Sequence, residues 1–206
     1  VIFRGINTEY YDPDNIKESD KIKFLKKLNI EGNKKIILMP GRLTEWKGQE
    51  IFIEALNELK TKYGYKNFIA ILLGSDQGRK IYKKKLIRLI ERFRLNNEVI
   101  FLEHVPSMPV AYSVSNVIIS ASIEPEAFGR ISVEAQSMKK PIVASDIGGS
   151  RETIVDNKTG LLFSSNDHHS LGEKIDFIFR LDDTSLNLMG NNGRKNVQKK
   201  FNVEKM

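Results

Sequence analysis

Six short apolar runs, separated by stretches of helical periodicity, limit this chain to very few architectures. They cover residues 36–39, 68–73, 99–102, 117–120, 142–144 and 160–163. Each is apolar throughout rather than at every second position, as expected of strands covered on both faces and therefore paired in parallel. Between them run helical repeats such as Ile81, Leu86, Leu89, Ile90 and Phe93, or Leu171, Ile175, Ile178 and Phe179. Strand and helix alternate, so the expected fold class is α/β, a Rossmann-like doubly wound parallel sheet.

A length of 206 residues suits one such domain. Residues 34–200 carry the repeat. Residues 1–33 do not: they read as an extended opening, an Asp12-Pro13-Asp14 turn and a lysine-rich amphipathic helix with Ile22, Leu25 and Leu28, expected to link this domain to another. At the far end a helix over 186–197 leaves only 201–206 for the start of a further segment. The first residue is Val1 rather than Met, so the chain is read as one half of a longer protein.

Composition narrows the chemistry. Cysteine is absent, and three histidines, His104, His168 and His169, show no zinc-motif spacing, so no metal ligands are assigned. Carboxylates, cations and backbone amides must do the work. The net charge of +7 is spread over helices, as in Lys83-Lys84-Lys85 and Lys199-Lys200, with acidic residues between. A solvated helical face is the expected role, with peripheral contact to acidic lipid headgroups as the functional alternative. No basic stripe is interleaved with stacking aromatics, which argues against nucleic acid. No apolar run has transmembrane length, and a cytoplasmic location is expected.

Three strand ends concentrate the residues suited to anions and hydroxyls. Gly41-Arg42-Leu43-Thr44-Glu45-Trp46-Lys47-Gly48 follows the first run and places Arg42 and Lys47 at the carboxyl end of a strand, where open parallel sheets bind ligands. Glu126-Ala127-Phe128-Gly129-Arg130-Ile131-Ser132-Val133-Glu134 reads as turn into helix. The amides of Phe128, Gly129 and Arg130 would then face a diphosphate at the helix start, with Glu126 and Glu134 placed to accept from hydroxyls on either side. Ser145-Asp146-Ile147-Gly148-Gly149-Ser150-Arg151-Glu152 forms a third such loop, with Glu152 expected to brace it. Gly74-Ser75-Asp76 and His104-Val105-Pro106 end two further strands.

With Gly-Arg and a following Lys-Gly, Glu-x7-Glu and Asp-x-Gly-Gly-x-x-Glu, essentially the whole chain resembles the C-terminal, donor-binding domain of family 4 retaining glycosyltransferases of the GT-B fold. The resemblance implies a retaining, metal-independent transfer of a hexosyl group from an NDP-sugar (UDP-, GDP- or ADP-hexose) to a hydroxyl acceptor, in surface glycan or lipid-linked saccharide synthesis, with no further cofactor. It implies that Arg42 and Lys47 stabilise the departing diphosphate, Glu126 contacts the donor sugar near its anomeric carbon, and Glu134 takes the ribose hydroxyls. Gly74 would line the diphosphate side, and the backbone at Val105 would pair with the base edge. Glu124 competes with Glu126, but only Glu126 gives the seven-residue gap to Glu134. Arg130 departs from the small or apolar residue usual in that family, and its role stays open. The acceptor would sit mainly on an N-terminal domain absent from this chain, reached in part at the inner membrane face, so the chain alone is expected to bind nucleotide without turnover. A non-catalytic nucleotide-binding or scaffolding module would bind without transfer in full-length form, and a sugar-nucleotide epimerase would yield an isomer without any acceptor.

Overall fold

The computed structural model describes residues 5–203. The first four residues of the expected linker and the last three of the expected crossover segment lie outside them. All six apolar runs are strands: β1 (Lys35–Pro40), β2 (Phe68–Leu73), β3 (Val99–Leu102), β4 (Val117–Ser120), β5 (Ile142–Ser145) and β6 (Leu161–Phe163). They form one sheet in the order β3-β2-β1-β4-β5-β6, and every pairing is parallel. The chain builds outward from β1 to β3, then returns to the other side of β1 and builds outward again. The order therefore reverses between β1 and β4, and the loops leaving those two strands diverge over a crevice.

The strands alternate sides, so each face of the sheet has its own core. Ile37 and Met39 of β1 pack with Ala70, Leu72, Val117 and Ile119 beneath α2 (Gln49–Thr61), α3 (Lys80–Arg92) and α7 (His168–Arg180). Ile36 and Leu38 pack with Ile69, Ile71, Ile118 and Ile142 on the opposite face. That face is covered by α4 (Met108–Val114), α5 (Arg130–Ser137) and α8 (Asp183–Lys200), with α1 (Glu18–Lys27) resting on α4. Continuous apolar strands are the consequence of two covered faces.

Residues 5–33 pack onto this second core through buried Ile6, Tyr11 and Ile30. Arg194 of α8 fixes the segment: its guanidinium donates to Asp12 Oδ2 at 2.6 Å and to the carbonyls of Tyr11 and Ser137. The opening also meets the end of the described chain, where Ile6 N–H donates to Phe201 O at 2.8 Å. Two expected core positions differ. Ile22 is 47% exposed, because α1 turns Phe24, Leu25 and Leu28 to the core and leaves Ile22 beside that stripe. Ile81 is 88% exposed, and Tyr82 takes the inward position at the start of α3.

Lys140, in the turn between α5 and β5, is largely buried, and desolvation, with Lys21 nearby, lowers its pKa to about 8. The folded state therefore carries a penalty for the charged form that is present in full below about 8 and relieved as pH rises toward the ordinary 10.5. Lys140→Met is expected to raise the urea midpoint at pH 7, with the gain shrinking as pH rises to 10.5.

Candidate active site at the strand-order reversal

The loop after β1 is held from three sides. Gly41 N–H donates to Leu73 O at 2.8 Å and Leu43 N–H to Ser75 O at 3.0 Å, tying the loop to the end of β2. Buried Gln49 donates from Nε2 to Arg42 O at 2.8 Å while its Oε1 accepts from Tyr82 Oη at 3.1 Å. A short 3-10 turn, Glu45–Lys47, then leads through Gly48 into α2. This arrangement exposes the Arg42 side chain and buries Lys47.

Lys47 meets the other side of the crevice. Its Nζ donates to Glu126 Oε1 at 2.7 Å and stands 4.4 Å from the centre of the Trp46 ring. The same oxygen of Glu126 accepts from Ser122 Oγ. Glu126 Oε1 is thus saturated, whereas Oε2 has no protein donor among the described residues. The loop carrying Glu126 lies on the glycines of the third strand end: Gly149 N–H donates to Glu126 O at 2.7 Å. A Cβ at Gly149 would come within 2.4 Å of Phe128 C, so only glycine permits that approach. The Gly148-Gly149 loop therefore supports the Glu126 loop from below. Glu152 is exposed, and its carboxylate makes no hydrogen bond among the described residues; the bracing expected of it comes from backbone groups instead.

Gly129 adopts φ 71° and starts α5, which no side chain among the described residues caps. Ser132 N–H donates to Gly129 O at 3.0 Å, so in the first turn of α5 only the amides of Arg130 and Ile131 have no acceptor among the described residues and remain available to an anion. Farther along, Glu134 is 5% exposed and held at both oxygens, accepting from Tyr112 Oη at 2.8 Å and from Arg130 Nε at 2.6 Å. Burial first, then the charge of Glu134, raises the pKa of both Tyr112 and Tyr11, so both phenols stay protonated and Tyr112 serves as a donor to Glu134. The hydrogen bond to Glu134 also raises the pKa of Arg130. A carboxylate has about four lone-pair sites, so Glu134 can still accept from a diol.

These groups surround one cavity of about 980 Å³, with Arg42, Trp46, Glu126, Phe128, Gly129 and Arg130 in its wall. Asn7, Tyr10 and Tyr11 close its other side. Lys47 and Glu134 lie just behind that wall, each bonded to a residue in it. Glu124 is exposed and faces a different groove, beside Thr44, Glu45 and Arg79. Gly74 stands apart from the cavity wall, its N–H donated to Leu102 O at 2.8 Å, and the Val105 side chain belongs to the core. Ser122, Tyr112, Gln49 and Tyr10 were not singled out in the sequence. None belongs to a spaced motif, and the fold alone brings them to the site.

The family model of glycosyl transferases group 1 matches residues 20–196. The chain belongs to that family. Among solved structures, a glycosyltransferase from Rickettsia africae ESF-5 superimposes with a TM-score of 0.92 at 35% identity, over 98% of this chain and 52% of that one. Anabaena Alr3699/HepE, solved in complex with UDP and glucose, gives 0.88 at 28% identity, over 98% and 52%. Among curated proteins, the capsular polysaccharide biosynthesis glycosyltransferase CapM of Staphylococcus aureus is 27% identical over 97% of this chain and 50% of its own length. This group 1 glycosyl transferase chain spans about half the length of those relatives. Its sheet is the Rossmann-like layer of a GT-B glycosyltransferase domain. No helix among the described residues is long and apolar enough to cross a membrane.

Proposed function

We propose that this chain is the donor-nucleotide half of a retaining, metal-independent hexosyltransferase acting on a hydroxyl acceptor in surface glycan or lipid-linked saccharide synthesis. The observation that carries the reading is the Lys47–Glu126 ion pair across the strand-order reversal, beside Arg42 and the uncapped start of α5. Cleaving a glycosyl phosphate bond builds negative charge on the leaving diphosphate. Arg42, Lys47 and the α5 amides supply donors for that charge from fixed positions, in the place a divalent ion would otherwise take. Glu126 keeps Oε2 for a sugar hydroxyl, and Glu134 offers the ribose a bidentate acceptor already oriented by Tyr112 and Arg130.

In this reading the acceptor binds mainly on the part of the relatives' length that this chain does not span. A UDP-sugar is the first donor to test, given the UDP complex of the similar HepE. Calorimetric titration of the chain with UDP, GDP and ADP is expected to show saturable binding of at least one of them and no hydrolysis of the corresponding NDP-hexose. Absence of binding to all three by folded protein would refute the assignment.

A further inference from the structure

A second cluster of chemical groups lies on the opposite core face, away from the nucleotide cavity. Glu54 and Glu58 are one turn apart on α2, on the flank that packs against α7. Facing them, α7 opens with His168 and His169. His168 Nε2 lies 3.6 Å from Glu58 Oε1, and His169 Nδ1 contacts the same oxygen. On its other side His168 Nδ1 lies 3.5 Å from Glu54 Oε2. One donor atom from each of Glu58, His168 and His169 falls within 4.8 Å of the other two. These residues show no zinc-motif spacing in the sequence, because Glu58 and the histidine pair are far apart along the chain and meet only where α7 docks on α2.

Three features favour a cation over a set of ordinary ion pairs. Glu58 Oε2 is buried and has no hydrogen-bond donor among the described residues, so this carboxylate is under-satisfied in a partly buried site. The two imidazoles are packed together with ring centres 4.1 Å apart against that single carboxylate. Protonating both would place two positive rings in contact, whereas a divalent ion supplies the charge while both rings stay neutral. Finally, Glu54 stands at the far nitrogen of His168, the relation in which a carboxylate fixes the tautomer of a metal-binding imidazole. Ligands about 2.0–2.2 Å from a tetrahedral ion sit about 3.3–3.6 Å from one another, close to the His168–Glu58 separation, whereas the His169–Glu58 contact is shorter and has to open to admit the ion.

We propose that Glu58 Oε1, His168 Nε2 and His169 Nδ1 bind Zn²⁺, with Glu54 as a positioning residue for His168, and that the ion fastens the start of α7 to α2. Nitrogen and oxygen donors without thiolate suit zinc at a site left open on one side. The site lies about 14 Å along α2 from the Lys47 loop, at 1.5 Å per residue, so the ion acts on helix docking and takes no part in sugar transfer.

The test is titration of the chelator-treated chain with zinc chloride by calorimetry and thermal denaturation, with circular dichroism to verify folding. Saturable one-to-one binding with a raised Tm is expected. Glu54→Gln should weaken zinc affinity about 10–100-fold, and His168→Ala combined with His169→Ala should abolish binding. UDP affinity should be unchanged in these variants. All three polar residues are at least partly exposed, so the substitutions leave the core intact. The proposal is overturned if folded chain shows no saturable zinc binding, or if the double histidine variant binds zinc as well as the parent. A Tm that responds to acidification through the imidazole range but not to zinc would assign the cluster to protonated histidine and equally overturn it.

Discussion

Lys47→Ala and Glu126→Gln are expected to move nucleotide affinity in opposite directions, although each breaks the same ion pair. Lys47→Ala removes the ammonium that the proposed function assigns to the diphosphate and leaves the Glu126 carboxylate without its cation. Both effects oppose an anion. A charge-assisted hydrogen bond contributes about 1.5–3 kcal/mol, so UDP affinity should fall about tenfold to hundredfold, with the circular dichroism spectrum retained. Glu126→Gln instead releases Lys47 from its carboxylate while keeping the shape of the side chain. UDP should then bind at least as tightly as in the parent, while transfer by an enzyme containing this domain should drop by on the order of a hundredfold, because the acceptor oxygen facing the sugar is gone. Calorimetry on the two single variants and the double variant closes a thermodynamic cycle. If the pair were only a structural strut, both single variants would weaken UDP equally, and that outcome would sink the assigned roles.

The sheet was readable because its signal is local: six continuous apolar runs mark strands covered on both sides, and each stands where it was expected. The placement of Arg42 and Glu126 in one cavity wall was readable for a related reason. They occupy loops that directly follow strands, and parallel topology brings such loops to one edge. Partners supplied by other elements were not readable. Tyr112 reaches Glu134 from α4, a seven-residue helix with no strong periodicity. Ser122 reaches Glu126 because the loop after β4 folds back on itself. Arg130 shows the limit well: as an added cation beside phosphates its role stayed open, and only the i, i+4 relation realised in α5 shows it held to Glu134. The same holds for Ile22 and Ile81, whose apolar character predicted burial although neighbouring Phe24 and Tyr82 sit more squarely on the inward faces.

The second large effect is expected at Gly48, and it joins stability to function. Gly48 has φ 74° and forms the hinge from the Glu45–Lys47 turn into α2. A Cβ built there would lie 1.9 Å from Ala121 O and 2.9 Å from Ala121 C, so alanine meets backbone rather than a side chain that can move aside. Ala121 directly follows β4 and precedes Ser122. Relief of the clash must therefore separate the loop after β1 from the loop after β4, and with them Lys47 from Glu126. Left-handed strain in a residue with a side chain costs about 1–3 kcal/mol, and the steric overlap adds to it. Gly48→Ala should lower unfolding stability by about 4 kcal/mol or more, at the extreme of single substitutions. Urea denaturation should show a lower midpoint, and any folded fraction should have lost UDP binding. Lys60→Ala, which removes a partly exposed ion pair to Glu98 at the other end of α2, should by contrast leave UDP affinity unchanged. A Gly48→Ala protein with parental midpoint and parental UDP affinity would mean that the two loops are not pressed together at Ala121, and the crevice between β1 and β4 would lose its proposed role as the binding site.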